Sequence, residues 1–208
     1  MRNLSRPVKI ILVLVIFLVL YIPVGWLWGK ALPAYSRFLA SVSQTVTNAF
    51  ESADTSYRIT VDRGDFVVAA RITVGGAYGR DQMFELPGNR PTDTVSYNLS
   101  LWAALFLATV VFIKPPARWR FLLIAPLLIV LWHICDLFIF AKNTRWILVK
   151  DLQQDYARYV SYSYNWHWFW MWALEFNRRI VDPFLPLALW FLFCFRSFFT
   201  LPAERPST

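Results

Sequence analysis

The chain has 208 residues, 57% of them hydrophobic and 18% aromatic, with a formal charge of +8. That composition excludes a disordered or fibrous chain and points to a polytopic membrane protein. The basic residues mostly flank apolar runs, which suits anionic membrane lipids as partners and leaves no soluble basic face for nucleic acid.

Residues 1–31 read as a signal anchor. Arg2, Arg6 and Lys9 precede the apolar run Ile10–Trp28, which ends on Trp26 and Trp28 instead of a small-residue cleavage site. The basic start places the N-terminus in the cytoplasm. Beyond Lys30 the helical period persists. Tyr35, Phe38, Leu39, Val42, Val46, Ala49 and Phe50 recur at i, i+3, i+4, i+7 spacing, predicting an amphipathic helix that continues out of the span.

Residues 32–96 are expected to form a small extracytoplasmic α+β lobe. Tyr57–Val61 alternates, Asp62-Arg63-Gly64-Asp65 supplies turn chemistry, and Phe66–Val74 alternates again up to Gly75-Gly76. Gln82–Leu86 and Thr92–Tyr97 are expected as short further strands, separated by Pro87-Gly88. A hairpin of this kind can accept an extended peptide by strand addition, so Tyr57, Ile59, Val61, Phe66 and Val68 are candidate contacts for a peptide or partner.

Residues 97–141 carry two predicted spans, Tyr97–Ile113 and Phe121–Ala141. They are joined by the basic turn Lys114-Pro-Pro-Ala-Arg-Trp-Arg120, a cytoplasmic-loop signal. The second of these, FLLIAPLLIVLWHICDLFIFA, is long enough to cross a hydrocarbon core of about 30 Å. It also holds His133, Cys135 and Asp136. His133 and Asp136, three apart, share a helix face and read first as a helix–helix clamp and second as a proton-relay element.

Residues 142–180 form an amphipathic and aromatic interfacial segment, with Arg145–Val160 as a helix in which Asp155 and Arg158 pair. In Tyr159–Phe176, Asn165, His167 and Glu175 interrupt an otherwise aromatic run, which favours a surface-lying or re-entrant segment over a further span. Trp166, Trp168, Trp170 and Trp172, with Arg178 and Arg179, read as interfacial anchors. Glu175 is expected to pair with Arg178 or Arg179, and Arg178 with Asp182. Residues 181–208 hold a last span, Val181–Phe198, and a polar tail. The expected fold is therefore mainly α, a polytopic membrane protein with about four transmembrane helices.

Soluble-enzyme motifs are absent from the sequence: no phosphate-cradling loop, dinucleotide fingerprint, nucleophile elbow, HExxH or CxxC. Two histidines are too few for a His-rich metal site, and no cofactor is expected. The enzyme-like alternative is an intramembrane thiol, Cys135 or Cys194, with His133 or His167 as base and Arg196 as oxyanion partner. Cys135 and His133, two apart on one helix, point away from each other, so such a pair needs two spans. A third reading is a small proton-coupled transport subunit centred on His133 and Asp136.

The order of parts, with the run YNLSLWAALFLAT at Tyr97–Thr109 and Asp182-Pro-Phe-Leu-Pro186, resembles the exosortase H-associated membrane proteins. These are found beside an intramembrane cysteine peptidase that processes C-terminal sorting signals. The resemblance implies a non-catalytic accessory subunit in the inner membrane of a Gram-negative bacterium, partnered by an exosortase-like peptidase. It carries no catalytic motif to this chain.

Overall fold

The computed structural model describes residues 6–74, 82–110, 112, 115–156 and 160–199. Helix α1 (Arg6–Ala49) leads into strands β1 (Thr55–Asp62), β2 (Asp65–Val74) and β3 (Gln82–Pro91). Helices α2 (Thr92–Thr109), α3 (Pro115–Tyr156) and α4 (Tyr164–Phe176) follow. A π-helical turn, Asn177–Val181, then runs into α5 (Asp182–Phe199). The chain divides into two compact units. The first comprises Met1–Trp28, Asn98–Ile129 and Phe184–Thr208, and the second Gly29–Tyr97 and Val130–Pro183.

In the first unit the ring of Phe121 is fully buried. It lies 6.0–6.3 Å from the rings of Trp102, Phe106 and Phe193. Ala104, Ala108 and Ala125 are buried as well, and their small side chains let helices approach closely. The apolar residues of α1 face outward instead: Ile11, Leu14, Val15, Leu18, Val19 and Ile22 are all exposed.

The second unit is built on an antiparallel sheet in the order β1-β2-β3. The β1–β2 connection is a two-residue turn, since Asp62 opposes Asp65. Arg63 and Gly64 take φ of 49° and 91°, the doubly left-handed pattern of a type I′ turn. Tyr57 and Ile59 of β1 and Phe66, Val68, Ala70, Ile72 and Val74 of β2 bury one face of the sheet. Leu39 and Ala40 of α1 and Leu137, Ala141, Leu148 and Leu152 of α3 complete this core.

Strand β3 continues through Pro87-Gly88 instead of breaking there. Gly88 sits opposite Val68, and a Cβ on it would come within 2.9 Å of Thr144 Oγ1 and 3.1 Å of Phe140 Cζ. The glycine is what lets α3 lie against the strand. The expected strand at Thr92–Tyr97 is instead the start of α2. Thr92 donates from both its N–H and its hydroxyl to the Gly64 carbonyl, and Asp93 Oδ1 accepts from Thr94 N–H in the first turn. Local side-chain capping outweighs the short alternation there.

The four-span expectation is corrected. Among the described residues two helices are long and apolar enough to cross a membrane, Pro7–Ala49 and Arg118–Tyr156. In α2 the first nine residues include Thr92, Asp93, Ser96, Asn98 and Ser100, leaving Leu101–Thr109, about 14 Å at 1.5 Å per residue. Helix α5 has 18 residues and opens on a buried Asp182. Gly75-Gly76, Lys114, Arg158 and the tail from residue 200 lie outside the described residues.

Candidate functional site: a buried guanidinium between two carboxylates

Alternation along β3 turns Phe84, Leu86, Gly88 and Arg90 toward the core, with Arg90 directly opposite the buried Phe66. A charged side chain thus occupies an inward strand position, where it needs compensation in place. Arg90 Nη1 lies 2.5 Å from Asp136 Oδ2 on α3, an ion contact away from the ideal hydrogen-bond axis. Its Nη2 donates to Asp182 Oδ2 at 3.3 Å. The side chains of Arg90, Asp136 and Asp182 are 8%, 1% and 4% exposed, so water screens none of them appreciably.

Two neutral donors complete the cluster. Asn177 Nδ2 donates to Asp136 Oδ1, and Trp132 Nε1 donates to Asp182 Oδ1 at 3.1 Å. The π-helical turn makes this set of partners reachable. Residues five apart on an α-helix are offset by about 140°. The widened turn, closed by the Asp182 N–H to the Asn177 carbonyl, brings Asn177 and Asp182 to the same side. Burial, and then the neighbouring Asp136 carboxylate, push the Asp182 carboxyl up to about 7, against the pull of Arg90 and Trp132.

A cavity of about 160 Å³ adjoins the cluster, with Arg90, Thr94, Phe140, Leu174, Glu175 and Arg178 in its wall. It has room for several waters. At its rim Glu175 is held by Arg179 at 2.7 Å, and Arg178 is exposed. A second buried ion pair, Lys142 with Glu51, is capped by the Tyr57 hydroxyl, which donates to Glu51 Oε1 at 3.0 Å.

The residues singled out from the sequence divide clearly. His133 and Asp136 are both fully buried, yet His133 Nδ1 meets the Tyr35 hydroxyl at 2.6 Å while Asp136 turns to Arg90 and Asn177. Cys135 is exposed on α3 and Cys194 is buried on α5, and neither hydrogen-bonds a histidine among the described residues. His167 packs its ring 5.9 Å from Tyr162. Arg196 falls in the last turns of α5, where its side chain lies outside the described residues.

Tyr57, Ile59, Phe66 and Val68 are core side chains, and Val61 is half-buried against them. The open edge of β1 is covered where they sit. Asn48 bonds both the N–H and the carbonyl of Tyr57, and Gln44 Oε1 accepts from Ile59 N–H at 2.9 Å. Helix α4 buries none of its residues. Trp166, Trp168 and Trp172 are exposed, and Trp170 stacks on Trp166 at 6.4 Å. Glu175 pairs with Arg179, as one of the expected alternatives, whereas Asp182 takes Arg90 rather than Arg178.

Arg90, Asn177, Trp132 and Lys142 were not legible as site residues. A signal for the first existed: a carboxylate at position 136 of an apolar helix requires a cation. The chain matches no protein-family model, no curated protein and no solved structure.

Proposed function

We propose that the chain is a non-catalytic accessory subunit of a membrane-embedded protein sorting or processing system, the role implied by its resemblance to the exosortase-associated proteins. In this reading α1 and α3 hold it in the inner membrane and the second unit engages an integral membrane partner. The observation that carries the reading is how the reactive side chains are used. Arg90, Asp136, Asp182, Lys142, Glu51 and His133 are bound to one another or to Tyr35 and Asn177 inside the second unit. They build structure, and neither Cys135 nor Cys194 hydrogen-bonds a histidine among the described residues.

The membrane component is supported by exposure. Only 6% of the most apolar window of α1 and 28% of that of α3 is buried within the protein, whereas a soluble core helix would be mostly buried. Helix α4, about 20 Å long and aromatic on every side, suits a position in the membrane–water interface, with Arg178 and Arg179 toward headgroups.

The test is affinity purification of the tagged chain from its own host in a mild detergent, followed by mass spectrometry. A stoichiometric membrane peptidase is the expected companion, and deletion of the chain should impair that peptidase's processing. Recovery without a membrane partner, together with full processing in the deletion strain, overturns the reading.

A further inference from the structure

Arg90, Asp136 and Asp182 do not balance. A guanidinium stays protonated at any physiological pH, so two ionised carboxylates leave one negative charge in excess, at a place with almost no solvent. No neighbouring cation corrects this among the described residues. On α3, Lys142 is engaged by Glu51 and His133 by Tyr35, while the Cys135 thiol is exposed. On α4 and the π-helical turn, Arg179 is engaged by Glu175 and Arg178 is exposed at the cavity rim. On α2, Asp93 caps its own helix.

One proton restores neutrality, and the geometry says where it resides. Asp136 has the closer guanidinium, at 2.5 Å, and an amide donor from Asn177 as well. Asp182 has the more distant guanidinium nitrogen, at 3.3 Å, and the Trp132 indole at 3.1 Å. Two carboxylates on one cation behave as a shared site in which the less well-stabilised member keeps the proton.

We propose that the Arg90–Asp136–Asp182 cluster is a proton-binding site, with the proton carried on Asp182 and exchanged past the Arg90 guanidinium, the one member of the cluster that lines the adjoining cavity. Its ligand is the proton itself. Loss of that proton places an uncompensated charge at the junction of β3, α3 and the π-helical turn, so occupancy of the site decides how tightly these three elements hold together. The upward displacement of the Asp182 carboxyl to about 7 puts this exchange across neutral pH. The inference stands independently of the accessory role.

Infrared spectroscopy of the purified full-length chain in detergent reads the proton directly. The wild type should display a protonated-carboxyl C=O band that shifts in D₂O, present at about pH 5 and lost by about pH 8–9 as Asp182 ionises. Asp182→Asn should remove the band, whereas Asp155→Asn, at an exposed carboxylate, should leave it. Folded wild-type protein with no such band across this range overturns the proposal whatever the variants do. A band that persists in folded Asp182→Asn overturns the assignment.

Discussion

At the scale of single residues, Arg90 is where the second unit depends most on one side chain. Its removal leaves the buried Asp136 carboxylate without a cation, so Arg90→Met should destabilise the fold by about 3–5 kcal/mol. Thermal unfolding in detergent measures this. Asp182 makes an opposite contribution with respect to pH. Its folded value, about 7, lies above the unfolded carboxylate value of 3.8, so its stabilising term is complete below 3.8 and disappears as pH rises through about 7. The wild-type unfolding midpoint should therefore carry a component that falls between about pH 4 and 7, and Asp182→Asn should flatten it. Gly88 is constrained by space alone. With Thr144 and Phe140 at 2.9 and 3.1 Å from where a Cβ would lie, Gly88→Ala should cost about 1–3 kcal/mol through overpacking.

At the scale of elements, the covered edge of β1 explains how a three-stranded sheet with a long first hairpin stays single. Asn48 satisfies both backbone groups of Tyr57, a residue only 2% exposed. Asn48→Ala should strand those groups, cost about 1–3 kcal/mol, and raise amide exchange at Tyr57 and Ile59 before the rest of the sheet. The same elements mark the limits of reading from sequence. The hairpin was legible because Arg63-Gly64 sits between two alternating runs, and local chemistry decides such a turn. Helix α1 was legible because its apolar period never breaks. Thr92–Tyr97 was misread because the docking of Thr92 on the Gly64 carbonyl, 28 residues away, belongs to three-dimensional context. Pro87-Gly88 was misread as a break because the reason for its glycine, Thr144 of α3, is far away in the chain. The ionic cluster was hidden for the same reason: Arg90 and Asp182 are 92 residues apart, and no local pattern links them.

At the scale of the whole molecule, the membrane reading and a soluble reading part company at Cys135. Its neighbours His133 and Asp136 are buried, yet Cys135 itself is exposed, on the same apolar helix as the exposed Leu127, Leu128 and Leu131. If that face of α3 meets lipid, hydrophilic reagents have no path to the thiol, and a thiolate has no water to stabilise it. If the face meets water, the thiol is open to any maleimide. In a Cys194→Ala background, a membrane-impermeant maleimide applied to intact and then ruptured membrane vesicles should leave Cys135 unlabelled, and should label it fully once the chain is denatured in detergent. Ready labelling in ruptured vesicles before denaturation would place this stretch of α3 in water and remove the bilayer from the account. The ionic cluster would survive that result, because its charge imbalance arises wholly within the second unit, among side chains that are at most 8% exposed.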